Sequence, residues 1–310
     1  MTLKAPFPYF GGKSRVAPIV WDAFGGVRNY VEPFFGSGAV LLARPDWQPG
    51  MTETVNDMDG YLCNFWRAIQ YDPEQTAHYA DWPVSELDLH ARHKWLIEKK
   101  PEVERLRSEP DYFDAKIAGY WVWGLCAWIG VGWTVATAKQ LPHLGNAGRG
   151  INRRLPHLSG GRGKYIRDYF AELSARLRDV RVVCGDWSRV LGASVTFKNG
   201  GMHNVAAVFL DPPYTSKNRA TVYDHDGTSV AHDVADWCRE NEDNPKLRIV
   251  LAGYAGDYDL PNWHELPWKT RGGYGLTGNG QGRENANRER LWFSPHCIQP
   301  QREMQTALAV

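Results

Sequence analysis

Residues 205–216 read VAAVFLDPPYTS. Val205, Val208, Phe209 and Leu210 have the pattern of a short buried strand. Pro212 and Pro213 donate no ladder hydrogen bond, so the strand must stop at Asp211. A carboxylate, a stiff turn and the ring of Tyr214 are thereby presented together at a strand's C-terminal edge. In open α/β sheets that edge is where ligands bind, although the same four residues also suit a plain strand-ending turn.

A second candidate lies upstream. VEPFFGSG, residues 31–38, puts Gly36 and Gly38 where a strand turns into a helix. Glycines there let backbone approach a ligand closely, and a helix start offers unpaired N–H groups. Residue 41 is Leu41, so the third glycine of the dinucleotide-binding pattern is missing, and no phosphate-loop pattern follows a strand. Alone, the turn suits a nucleotide-like ligand or a purely structural role. The next strand ends in VNDMD, with Asp57 twenty-one residues after Gly36. An acid at that spacing commonly holds ribose hydroxyls, and Asp59 suits the N-cap of the following helix.

These residues need a scaffold, and the pattern supplies one. Val16, Ile19, Val20 and Phe24 mark a helix closed by Gly25 and Gly26. Strand–turn–helix units follow at 29–45 and 53–70, the second with Leu62, Phe65, Trp66 and Ile69 on one helix face. The rhythm breaks over 72–163, which holds proline punctuation, a charged helical stretch (86–107), an aromatic segment (112–133) and glycine-rich loops. It resumes with a helix at 164–177 and strands at 180–186, 205–210, 247–254 and 288–294, with a helix around 229–240. Two opening strand–helix units and this return predict a doubly wound α/β domain, over 1–71 and 164–310, interrupted by an insertion at 72–163.

Composition limits the function classes. The chain has 310 residues, 43% of them hydrophobic, and net charge +1, so only local charge can point to a partner. Five scattered cysteines without a C-x-x-C pair argue against a disulfide framework or a zinc site. Residues 1–20 lack a signal-peptide core, and the apolar run 119–133 is too short to span a membrane, so a cytoplasmic protein is expected. Between Val131 and Arg167 stand seven basic residues (Lys139, Arg149, Arg153, Arg154, Arg162, Lys164, Arg167) and no acid. That cationic patch is the expected footprint of phosphate contact, or else a solvated basic loop.

Taken in order, FPYFGGK (7–13), EPFFGSG (32–38) and DPPY (211–214) resemble the Dam-type, D12-class DNA adenine-N6 methyltransferases. VNDMDGYLCNFWRAI, VVCGDW (182–187), HDVADWCREN (232–241) and RERLWFS extend the resemblance over most of the chain. It implies a mostly parallel, seven-stranded methyltransferase sheet with an inserted, largely helical target-recognition domain. It also implies S-adenosylmethionine as cofactor, leaving as S-adenosylhomocysteine, with no metal. The implied cofactor residues are Tyr9, Lys13, Glu32, Phe34, Phe35, Gly36, Ser37, Gly38, Asp57, Met58, Asp186 and Trp187. Among them Glu32 stands near the methionine end, Asp57 takes the ribose and Asp186 the adenine amino group, while Tyr9 and Lys13 belong to a segment that closes over the cofactor. Lys13 alternatively reads as a solvated cation at a helix start.

The implied catalytic residues are Asp211, Pro212, Pro213 and Tyr214. Adenine N6 is a poor nucleophile because its lone pair is delocalised into the ring. Acceptors at Asp211 and the Pro212 carbonyl, placed out of the ring plane, localise that lone pair toward the sulfonium methyl. The expected partner is double-stranded DNA, contacted by Lys139, Arg149, Arg153, Arg154, Arg162 and Lys164, in a nucleoid-associated setting of bacterial or phage type. N4-cytosine methylation and an inactive DNA-binding relative are the alternatives. The chain departs from its family at AWIGVGWTVAT and at LAGYAGD (251–257), so the target sequence is left open. The glycine-rich stretch 270–283 reads as a loop that closes near the base pocket or as an idle one. Oligomeric state is also open, and a monomer is compatible with the sequence.

Overall fold

The computed structural model describes residues 3–9, 12–128, 132–136, 164–198, 205–213, 227–268 and 288–298. The strands are β1 (Asn29–Glu32), β2 (Thr52–Asp57), β3 (Arg181–Cys184), β4 (Ala206–Leu210), β5 (Leu247–Tyr254), β6 (His264–Pro267) and β7 (Glu289–Phe293). They form a seven-stranded sheet in the order β3-β2-β1-β4-β5-β7-β6. β1 runs parallel to β2 and β4, and β4 parallel to β5, while β7 lies antiparallel to both β5 and β6. The fold is therefore mixed α/β with a mostly parallel sheet. By contacts the chain divides into two compact units, one of residues 1–2, 10–56 and 187–310, the other of residues 3–9 and 57–186.

The first unit is organised around β4, whose five residues are all buried. Parallel strands covered on both faces read as continuous apolar runs, which is why AAVFL occupies this position. Its neighbours are fixed in register, Val31 opposite Val208 and Leu210 opposite Leu251. The helix α1 (Ala17–Phe24) buries Val20, Trp21 and Phe24, and Trp21 donates its indole N–H to the Val40 carbonyl at 2.7 Å. The helix expected after the glycine turn is only the four-residue α2 (Ala39–Leu42). Its brevity follows from Pro45 just beyond and from Arg44, whose guanidinium is drawn inward to Glu53 at 3.0 Å. The helix α9 (Gly227–Asn241) begins earlier than the apolar pattern indicated, and β6 had no pattern of its own.

The second unit is mainly helical. It contains α3 (Gly60–Tyr71), α4 (Pro73–Ala80), α5 (Glu86–Glu98), α6 (Lys100–Glu104), α7 (Ala115–Ala127), α8 (Lys164–Leu177) and β3. Local signals explain the helix starts: side chains of Asp59, Asp72, Ser85 and Asp114 each accept from first-turn N–H groups. Asp59 thus takes the cap role expected of it. The core is aromatic, with Phe7 edge-on to Phe65 at 5.4 Å and to Trp121 at 5.3 Å. Gly124 of α7 sits directly under Trp133, whose indole N–H donates to the Trp121 carbonyl at 3.0 Å. The charged stretch expected at 86–107 resolves into α5, α6 and a final 3₁₀ turn, with Pro101 inside the first turn of α6. Among the described residues no helix is long and apolar enough to cross a membrane.

Candidate active site

In the first unit, the chain leaves β1 toward β2 on one side and leaves β4 toward β5 on the other, while β1 and β4 are themselves neighbours. Adjacent parallel strands whose connections depart in opposite directions open a crevice beyond their C-terminal ends. The segments at that point are residues 33–38 after β1 and residues 211–213 after β4. The glycine turn and the Asp-Pro-Pro segment, far apart in sequence, therefore leave the same place in the sheet.

The turn has the backbone its glycines were expected to supply. Gly36 has φ +48° and Gly38 φ +69°, the left-handed region that a side chain disfavours. Phe35 N–H donates to the Asn56 carbonyl and Gly38 N–H to the Phe35 carbonyl, each at 2.9 Å, and Asn56 Nδ2 donates to the Pro33 carbonyl at 3.0 Å. These bonds tie the turn to the end of β2. Ser37 and Phe35 are buried within it. Glu32 is also buried and accepts from the Tyr30 hydroxyl at 2.8 Å; burial, followed by the Glu32 charge, raises that hydroxyl far above its ordinary range. Phe34 stacks on Trp187, centroids 6.1 Å apart and planes 24° from parallel, and both rings are half-buried.

At the other side of the crevice Pro212 is buried, and Asp211 receives Lys13: Nζ lies 2.7 Å from Oδ2, with side chains only 6% and 19% exposed. The fold thus brings Lys13 to the expected catalytic acid, buried rather than as the solvated cation that its helix-start position also suggested. Lys13 in turn lies 5.7 Å from the ring centre of Trp268, a residue 2% exposed that the sequence did not single out. Trp268 is held by its own backbone N–H to the Glu289 carbonyl at 3.1 Å. Tyr258 is a second unforeseen neighbour. Its ring packs edge-on to Trp292 at 5.1 Å, and its hydroxyl is raised far above its ordinary range by burial first, then by Asp257, Cys238 and Asp211. The aromatic density of residues 258–268 was the only signal for either residue. Tyr214 lies outside the described residues.

In the second unit, Asp57 Oδ1 accepts from Asp59 N–H at 3.0 Å, and the Asp57 carbonyl accepts from Gly185 N–H at 3.0 Å. The segment that carries Asp186 is in this way tied to Asp57, and Asp186 itself is exposed. The Asp59 carboxyl is pushed up to about 6, by burial and then by the Asp57 charge. Met58 is 39% exposed, and Arg107 donates to its carbonyl at 3.3 Å. Tyr9 is half-buried and edge-on to Phe7 at 5.9 Å. Lys139, Arg149, Arg153, Arg154 and Arg162 lie outside the described residues, and of Lys164 only its place at the start of α8 is described. Among the described residues no three His, Cys, Asp or Glu side chains are grouped to hold a metal ion.

The fold is that of a mixed α/β protein with a crevice at the sheet's switch point. In comparison with known families, residues 9–111 match the family model described as D12 class N6 adenine-specific DNA methyltransferase. This match supports the Dam-type resemblance of the motifs over that third of the chain. The matched region includes the glycine turn and Asp57 and ends before Asp211. No curated protein matches the chain.

Proposed function

We propose that this chain transfers the methyl group of S-adenosylmethionine to N6 of an adenine extruded from duplex DNA. The observation that carries the reading is the pairing, in one unit, of the positive-φ glycine turn after β1 with Asp211 after the adjacent β4. The residues present fit the cofactor in two respects. Side chains are disfavoured at Gly36 and Gly38, leaving backbone free to approach it, and the half-buried Phe34–Trp187 pair offers a flat apolar face to a purine. When bound, the cofactor supplies an already activated sulfonium methyl.

The work left to the protein is positioning and proton handling. Asp211 and the Pro212 carbonyl accept the two N6 protons, pyramidalising the nitrogen and aiming its lone pair. Orientation of this kind is worth up to about 7–11 kcal/mol. Lys13 fixes the direction of the carboxylate through Oδ2. The proton released from N6 leaves by way of Asp211. Extrusion costs a few kcal/mol, and stacking on Tyr214, about 1–3 kcal/mol per base, offsets part of it. Asp57 is assigned to the ribose, Asp186 to the cofactor's amino group, Glu32 to the methionine end, and Tyr9, Phe35, Ser37 and Met58 to the remaining cofactor contacts. Residues 72–163 are assigned to target recognition, with Lys139, Arg149, Arg153, Arg154, Arg162 and Lys164 on the phosphates or bases.

Nucleoside mass spectrometry of unmethylated duplex DNA incubated with the protein and S-adenosylmethionine tests the reading. N6-methyladenine is expected, and Asp211→Ala should lose it while still binding the cofactor. N4-methylcytosine would keep the chemistry and overturn the substrate. Equal turnover by Asp211→Ala would overturn the mechanism.

A further inference from the structure

Two cysteines meet in the second unit. Cys63 lies in the first turn of α3 and Cys184 ends β3, and their thiols hydrogen-bond one another. Cys63 Sγ also lies 3.4 Å from the Asp57 carbonyl and 3.6 Å from the Val183 carbonyl, so it is fixed against the strand that carries its partner. Of the five cysteines, none in a disulfide, only Cys184 is not fully buried. The guanidinium of Arg107, 42% exposed and paired with Glu104 at 2.9 Å, also stands near enough to lower the Cys184 thiol.

The Cys63 thiol is held well above the ordinary range by the bond to Cys184 and then by burial, and the same bond, with Arg107 beyond it, draws Cys184 below that range. Two other cysteines are inert by comparison: burial pushes Cys297 up to about 11 and Cys238 further still. A partly exposed thiol held below its ordinary range beside a guanidinium, with a second thiol in contact, has the features of a reactive cysteine and its resolving partner.

We propose that Cys63 and Cys184 form a modification site at which a peroxide-class oxidant closes a reversible disulfide. In the first step Cys184 thiolate attacks one peroxide oxygen; an S–O bond forms, the O–O bond breaks, and hydroxide leaves. Cys63 sulfur then attacks the sulfenic sulfur of Cys184. The S–S bond forms, the S–O bond breaks, and the departing hydroxide takes the Cys63 proton as water. Two thiols lose two electrons in all, and one peroxide is reduced to two waters. A dithiol reverses the change by exchange.

The test uses the full-length protein with hydrogen peroxide, then peptide mapping and thiol titration. The free thiols should fall from five to three, with Cys63 and Cys184 in one linked peptide and full recovery after dithiothreitol. Cys63→Ser should accumulate a dimedone-trapped sulfenic acid on Cys184, and Cys184→Ser should form neither adduct nor link. Arg107→Gln should slow the reaction by about tenfold through loss of the thiolate's cationic partner. Five intact thiols after the peroxide is consumed, or a link between other cysteines, would overturn the proposal. So would a Cys184→Ser protein that is oxidised as fast as the parent. The peptide map of the parent protein decides the matter even where a serine variant fails to fold, and none of these readings requires methyl transfer.

Discussion

The Lys13–Asp211 pair offers the most direct quantitative test of the crevice. At 2.7 Å and an effective dielectric constant of about 20, its gross attraction is about 6 kcal/mol. Desolvating both ions offsets much of this, and breaking a buried pair by removing one partner typically costs about 3–5 kcal/mol. The two ends differ: Asp211 keeps 19% of its side-chain exposure and Lys13 only 6%. Lys13→Met leaves the better-hydrated carboxylate behind and should cost about 3 kcal/mol, at the low end of the range. Asp211→Asn deprives the more deeply buried ammonium of its carboxylate and should cost more, about 3–4 kcal/mol, less what the Trp268 ring returns. In a double-mutant cycle the coupling should be about 2–3 kcal/mol. Urea unfolding followed by tryptophan fluorescence on the four proteins gives these values. Repeating the cycle at about 1 M salt, where the screening length is about 3 Å, separates a sheltered pair from a surface one. A coupling below about 0.5 kcal/mol, or one that disappears in salt, would refute the claim that the crevice shelters this pair.

Three further outcomes follow from the geometry. Asp59 binds its proton more tightly in the folded chain, about 6 against an ordinary 3.8, so its contribution to stability is greatest below pH 3.8 and is lost as pH rises through about 6. Asp59→Asn keeps an N-cap and removes that loss, so it should gain on the parent by about 1–2 kcal/mol between pH 4 and pH 7.5, part of the roughly 3 kcal/mol the full shift implies; parallel melting curves at the two pH values would expose this idea if the difference stayed constant. Gly124→Ala would put a methyl 1.8 Å from Trp133 Cζ2, so a loss of about 1–3 kcal/mol is expected, read as a lower urea midpoint at unchanged slope. Trp187→Ala removes half of the stacked pair with Phe34 and should weaken S-adenosylmethionine binding by about tenfold, as stacking of about 1–1.5 kcal/mol implies, while an unchanged affinity by calorimetry would remove Trp187 from the cofactor site.

What the sequence determined by itself was local. The run VFLDPP has one stable reading, because its side chains want burial and its prolines stop the ladder; β4 ends where Asp211 begins. Asp59 and the α3 face were legible for the same reason, a cap two residues before Tyr61 and apolar residues at helical spacing. The turn at Gly36 and Gly38 was legible because left-handed backbone favours that residue type. Such signals depend on neighbours along the chain and survive translation into structure.

What the tertiary structure decided was which of these meet. No pattern within β1 or β4 says that they are adjacent, since register between parallel strands is set by long connections and by burial on both faces. That adjacency is what turns two separate motifs into the two sides of one crevice. The partner of Lys13, the placement of Trp268 beside it, and the contact of Cys63 with Cys184 all join residues distant in sequence. A lysine at a helix start reads alike whether it faces water or a buried carboxylate, because its own spacing is the same in both cases. Only the packing of the sheet withdraws water from one side of it and supplies the opposite charge.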